Sequence, residues 1–179
     1  TTQKVLIGLL RGFEGSVYIN GTDLSRMERS FYERIGVAFE FPNLYHKLTA
    51  LENLQLYASF YKSPTRDPDE LLNLVHLDAD RDTRVEAFSK GMKMRLSFIR
   101  ALLNHPDLLF LDEPTAGMNP VELVEILENI RGLSANGRTT FVIVEHDMDV
   151  VFSLSDRVMV LHRGDIICDG TPDVVKNDE

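Results

Sequence analysis

Apolar residues recur along this chain in two rhythms, one helical and one extended, and their order sketches an architecture. Val5, Leu6, Leu9 and Leu10 fall at helical spacing and predict a helix over 4–10, with Gly12 available near its end. Ser16 to Ile19 alternates as a strand does and runs into Asn20-Gly21, a strong tight-turn dipeptide; Ile35 to Phe39 is a second short apolar strand. Together these predict a small sheet layer near the start. From Thr49 to Tyr61 the period turns helical, opened by Thr49 with Glu52 as a capping box and closed before Ser63-Pro64. Another helix follows, capped by Asp67, with Pro68 in its first turn and Leu71, Leu72, Leu74, Val75 and Leu77 on its apolar face.

The stretch from Thr49 to about Asp82 therefore reads as a helical insertion, and the next helix, Ser89 to Leu103, extends this helical subdomain to about 49–103. Leu108 to Leu111 is a continuous apolar run that stops at Asp112-Glu113-Pro114, the mark of a strand buried on both faces. Beyond it come a helix from Pro120 to Leu133, a turn at Asn136-Gly137, a strand from Thr140 to Val144, a short helix after Asp147 and a strand from Val158 to Leu161. Strand and helix in alternation imply a parallel sheet. A hairpin around Arg163-Gly164 and a polar tail after Gly170-Thr171-Pro172 close the chain, which has no internal repeats or low-complexity linkers.

Composition narrows the function classes. At 179 residues, 44% hydrophobic and 26% charged, the chain suits one domain spanning 1–179. Its 28 acidic and 19 basic side chains leave a charge of -9, which speaks against nucleic acid as a partner. A single cysteine, Cys168, cannot form an intramolecular disulfide and points to a reducing, cytoplasmic setting. No apolar run approaches the roughly 20 residues of a membrane span, and the start lacks a signal-peptide pattern. A link to the membrane would pass through a partner.

Candidate chemistry gathers where apolar strands end. In a parallel α/β sheet ligands bind beyond the carboxyl ends of the strands, where Asp112 and Glu113 emerge. Adjacent carboxylates there can divide labour, the first holding Mg²⁺ and the second polarising water, or they can simply cap a strand with a polar turn. His146 follows the apolar strand 141–144 and would emerge at the same edge, either to contact a terminal phosphate or as a surface residue. Ser89, Lys90, Gly91, Met92, Lys93, Met94 and Arg95 open a helix with a hydroxyl, a glycine and three cations. That is an anion site in outline, or a capped surface helix.

The order of these parts is more specific than any of them: Glu40 after a short strand, the helical insertion, Ser89-Lys90-Gly91-Met92, Leu108 to Pro114, Asn119-Pro120, then Glu145-His146-Asp147. Across nearly the whole chain it resembles the ABC transporter ATPase family. The resemblance implies a P-loop NTPase-like α/β fold, a parallel sheet core with a small antiparallel β layer and a helical insertion. It implies ATP and Mg²⁺, with Asp112 as the Walker B ligand of Mg²⁺, Glu113 as general base and His146 as the switch that senses the γ-phosphate. Ser89, Lys90, Gly91 and Met92 would form the signature turn facing ATP held by a second ATPase domain, head to tail. A transmembrane permease on a separate chain would be the other partner. The phrases 42–45, 48–53 and 89–92 look like ATPases of drug or lipid exporters, which sit on the cytoplasmic face of the membrane.

Four departures from the family pattern carry expectations. The Gly-rich phosphate loop should precede the first helix, yet the chain opens at Thr1-Thr2, which fall just after its lysine and Mg²⁺-binding hydroxyl, with Thr1 still in reach of a phosphate. Since that loop supplies most of the ground-state affinity, this polypeptide is expected to bind ATP poorly or not at all, as an incomplete gene product or a trimmed chain. Glu40 stands where glutamine is usual; it can ligate Mg²⁺ but adds negative charge beside the γ-phosphate, which would slow hydrolysis, or it merely ends a strand. In the signature, Lys90 and Met92 replace a glycine and a residue near the usual glutamine. Asn119 replaces an aspartate and keeps the helix-cap role before Pro120 and Glu122 without charge to carry across a dimer. Two other functions fit: a catalytically silent fragment with an interaction or regulatory role, and a soluble ABC ATPase of translation or DNA repair, whose usual paired domains or coiled-coil inserts are not visible.

Overall fold

A computed structural model describes residues 2–10, 12–135 and 137–177. Its first helix, α1 (Thr2–Leu6), is shorter than the periodicity predicts. Gly8, not Gly12, ends it: with φ +72° Gly8 takes the left-handed position after the helix, its N–H bonded to the Val5 carbonyl and the Leu9 N–H to the Lys4 carbonyl. That is a Schellman stop, and only a glycine fits it without a steric penalty. Strands β1 (Tyr18–Ile19) and β2 (Thr22–Asp23) then form the expected hairpin through Asn20-Gly21, both at positive φ. The short helix α2 (Arg29–Tyr32) leads into the sheet.

Strands β3 (Ile35–Ala38), β4 (Leu108–Asp112) and β5 (Thr140–Val144) form a parallel sheet in the order β3-β4-β5. Its register pairs Ala38 with Leu111 and Asp112 with Val144, so all three carboxyl ends share one edge. The opposite edge is pinned by bonds from the Asp107 N–H to the Arg34 carbonyl and from the Thr140 N–H to the Asp107 carbonyl, both 2.8 Å. Central β4 is buried on both faces, as its unbroken apolar run requires: Leu109 and Leu111 join the main core, Phe110 a smaller cluster with Ile7 and Ile35.

Between β3 and β4 lie α3 (Ala50–Ala58), α4 (Pro68–Leu74) and α5 (Lys90–Arg100), whose inward Leu54, Leu71, Leu72, Leu96 and Ile99 are fully buried in the main core with Leu109 and Leu111. Local chemistry starts each helix where the sequence predicts. Thr49 and Glu52 make a reciprocal capping box, Asp67 accepts from the Asp69 N–H, and Ser89 accepts from the Met92 N–H at 3.1 Å. Buried Asn53 fixes the preceding loop by accepting from the Tyr45 N–H at 2.8 Å and donating to the Tyr45 carbonyl at 3.0 Å. Arg100 crosses from α5 to donate to the Asn43 carbonyl at 2.6 Å and lies 4.7 Å from the Tyr57 ring centre.

After β4 come α6 (Pro120–Ala135) and, beyond β5, α7 (Met148–Leu154). The expected hairpin around Arg163-Gly164 follows: β6 (Val158–His162) pairs antiparallel with β7 (Asp165–Gly170), in a sheet of its own, separate from the parallel one. A hairpin of two short apolar runs offers its own ladder, and Arg157 closes it with a two-pronged contact to Asp169 at 2.7 and 2.6 Å, which holds the Asp169 carboxyl below the usual carboxylate range. Helix α8 (Pro172–Lys176) follows. Of the predicted turn at Asn136-Gly137, Asn136 lies outside the described residues and Gly137 has φ +64°.

Candidate active site

The parallel register brings the predicted carboxylates and the imidazole to one place. Beyond Asp112 the ladder continues for one more bond, from the Glu113 N–H to the Val144 carbonyl at 2.9 Å. Glu113 then adopts φ +46°, a left-handed conformation that costs a non-glycine residue roughly 1–3 kcal/mol and is found where surrounding structure holds it. The adjoining β5 continues into Glu145 and His146. The His146 Nδ1 lies 3.5 Å from the Glu113 Oε1, with the imidazole 77% exposed and the carboxylate 34% exposed. Both groups thus face solvent side by side at the strand ends.

Asp112 is held from another direction. Gln3 of α1 is buried, and its amide, oriented to donate, stands 3.1 and 3.3 Å from the two Asp112 oxygens. Sequence reasoning passed over Gln3; the one available signal was an uncharged polar residue among the apolar positions of a first helix. It also passed over Glu145, whose side chain is 1% exposed. The Glu145 Oε1 accepts from both the N–H and the hydroxyl of Thr115, and its Oε2 accepts from the His146 N–H at 3.1 Å.

A second group of predicted residues assembles at the start of α5. Ser89 and Lys90 are exposed, Met92 is half-buried against the main core, and Gly91 is buried. A Cβ on Gly91 would collide with the Glu122 carboxylate, and one on Gly117 (φ +74°) would come 2.5 Å from the Lys90 Cδ, so this turn packs directly on the loop that follows β4. Glu122 also completes the cap of α6: it accepts from the Asn119 N–H at 3.0 Å, while the Asn119 Oδ1 accepts from the Val121 and Glu122 N–H groups at 2.9 and 3.1 Å. Arg95 ties the helices together, 3.4 Å from Glu122 and donating to the Val75 carbonyl at 2.8 Å. Asn119→Ala should therefore destabilise the protein by about 1 kcal/mol through loss of the cap, read as a lower urea midpoint at an unchanged denaturant slope.

Comparison with known proteins assigns the family. The family model described as ABC transporter matches residues 1–116. The chain belongs to the ABC transporter family. It is 47% identical over 176 residues to the fluoroquinolones export ATP-binding protein of Mycobacterium tuberculosis, covering 98% of this chain and 58% of that protein. It is 35% identical over 168 residues to the bacitracin transport ATP-binding protein BcrA of Bacillus licheniformis, covering 93% of this chain and 55% of that protein. The chain thus spans a little over half the length of these curated relatives. A solved ATP-binding subunit of an ABC transporter superposes with a TM-score of 0.84 at 28% identity, covering 98% of this chain and 74% of that one.

Within this ABC transporter chain the remaining predicted residues fall as follows. Glu40 lies two residues past β3, at the same sheet edge as Asp112, half-buried and without a hydrogen bond or ion pair among the described residues. Thr2 is exposed at the start of α1, and Thr1 lies outside the described residues. No helix among the described residues is long and apolar enough to cross a membrane. The carboxylate of Asp112 at the strand end, with Glu40 at the same edge, is the kind of oxygen donor Mg²⁺ takes, one or two carboxylates with water and phosphate oxygens in its other positions.

Proposed function

We propose that this chain is the nucleotide-hydrolysing domain of an ABC exporter, with 1–179 one ATPase domain and about 49–103 its helical subdomain. The observation that carries the reading is the approach of His146 to Glu113, 3.5 Å apart at the strand ends beside Asp112. Asp112, with Glu40 near, would hold Mg²⁺, and the metal would supply charge neutralisation at the β- and γ-phosphate oxygens of ATP. The Glu113 carboxylate accepts the proton of the attacking water, and its left-handed backbone turns that carboxylate outward. His146 offers an imidazole N–H to the γ-phosphate. Thr2, exposed at the start of α1, would face the phosphates, and Thr1 keeps the role that the family resemblance implies for it.

The exposed Ser89 and Lys90 and the buried Gly91 suit contact with ATP held by a second copy of the domain, head to tail, with Met92 packed beneath and Asn119 beside them. A transmembrane permease is the partner that the 41–60 surface suits: Phe41, Tyr45 and Phe60 are exposed, and Tyr57 stacks near Tyr45 and Phe60 with ring centres 5.9 and 5.8 Å apart. Exposed aromatics on a braced loop are what a protein interface uses. The domain would then work on the cytoplasmic face of the membrane. The names of its relatives, fluoroquinolone export and bacitracin transport, support an exporter.

The test is phosphate release from the ATPase that carries this chain, with and without its permease. His146→Ala should lower Mg²⁺-dependent turnover about 100-fold, within the range for loss of one hydrogen-bond donor to charge developing in the transition state. Turnover that survives both His146→Ala and Glu113→Gln would sink the reading.

A further inference from the structure

A carboxylate at 1% exposure needs an explanation, because burying an ionised group without a partner is costly. Glu145 is such a group, and neither the metal site nor the base uses it. Its two oxygens divide between two loops. Oε1 takes the N–H and hydroxyl of Thr115, in the loop that leaves β4 two residues after Glu113; Oε2 takes the N–H of His146 and stands 3.8 Å from its Nδ1. The sheet itself stops short of this point, since the last ladder bond runs from the Glu113 N–H to the Val144 carbonyl. Past that bond, Glu145 is the side chain that spans the two segments bearing the base and the imidazole. The imidazole is 77% exposed, and its ion-pair partners among the described residues are the Glu113 and Glu145 carboxylates.

We propose that Glu145 is the positioning residue of the site: by bridging Thr115 and His146 it fixes the distance between the Glu113 carboxylate and the His146 imidazole. This rests on the hydrolytic reading of those two residues. A hydroxyl or an amide could not do the same, because only a carboxylate offers two acceptor oxygens at once and three donors converge on it. Saturated buried polar groups of this kind hold one conformation strongly.

Two measurements test the proposal, the first on the chain alone. In Glu145→Ala, hydrogen exchange at the Thr115 and His146 amides should accelerate roughly tenfold, the size expected when one buried hydrogen bond is lost, and the NMR shifts of the His146 ring nitrogens should change as the ring loses its fixed place beside Glu113. The amides of Glu113 and of Asp149 and Val150, which bond to the Val144 carbonyl and to Asp147, should keep their protection. Glu145→Gln retains one acceptor and should restore protection at one of the two amides. The second measurement is on the ATPase that carries the chain, where Glu145→Ala should lower kcat about tenfold at an unchanged KM for ATP, since geometry at the reacting centre and not affinity is lost. The proposal is overturned if Thr115 and His146 keep native exchange, if exchange rises uniformly along β4 and β5, or if kcat and KM change together. A wild-type protein that hydrolyses no ATP would defeat the hydrolytic reading instead, and the exchange pattern would still decide whether Glu145 braces the two loops.

Discussion

Glu113→Gln is expected to cut ATP turnover by about 10²–10⁴-fold, the range for removing a positioned general base, with nucleotide affinity changed no more than a few-fold. The substitution preserves shape, so the left-handed turn at φ +46° and the bond from residue 113 to the Val144 carbonyl should persist. What disappears is the proton acceptor. A neutral amide also removes one of the two carboxylates beside His146, leaving Glu145 at 3.8 Å as its remaining acidic neighbour. The measurement is single-turnover hydrolysis alongside a separate nucleotide-binding titration. A fall in kcat with binding intact supports the base assignment, whereas parallel losses of both would place the residue in binding and reject it.

Gly36→Ala should produce the largest loss of stability of any alanine substitution at the described glycines, about 3 kcal/mol or more, the upper range for overpacking a core. Gly36 sits within β3 opposite Leu109, and a Cβ there would land on the carbonyl oxygen of Ala101 and 2.6 Å from the Leu109 Cδ1. Neither can retreat: Ala101 is the buried C-cap of α5, and Leu109 is fully buried in the central strand. The obstruction is a lack of space and not a positive φ, so it acts on the approach of α5 to the sheet. Gly132→Ala makes the contrast. That residue is exposed within α6 with nothing near a new Cβ, and the substitution should stabilise the helix by about 0.5–1 kcal/mol. Urea unfolding of both variants checks the pair, and equal midpoints would refute the packing argument.

These two positions also show how legibility was divided. Glu113 was visible in the sequence because it ends a run, Leu108 to Leu111, that is apolar enough to be a central strand, and strand ends are where α/β sheets bind ligands. Gly36 was one residue of a short strand, and nothing in neighbouring letters could reveal that the end of α5 presses on it. Helix caps were legible for the same reason as Glu113: Thr49 with Glu52, Asp67, Ser89 and Asn119 act within three residues of themselves. The first helix was overrun to Leu10 because Leu9 and Leu10 continue the apolar period, while Gly8 had already turned the chain. The last hairpin was legible from Arg163-Gly164, because a tight-turn dipeptide between two short apolar runs acts over adjacent residues.

By itself, then, the sequence determined the local elements, the central strand, and the identity of Asp112, Glu113 and His146 as groups delivered at strand ends, because periodicity and capping are encoded over a few adjacent residues. Tertiary structure alone decided that Gln3 meets Asp112, that Glu145 bridges Thr115 to His146 across 30 positions, and that Gly91 abuts Glu122. Those contacts depend on how sheet register and helix packing bring distant segments to one edge, and no residue carries that information in its own neighbourhood.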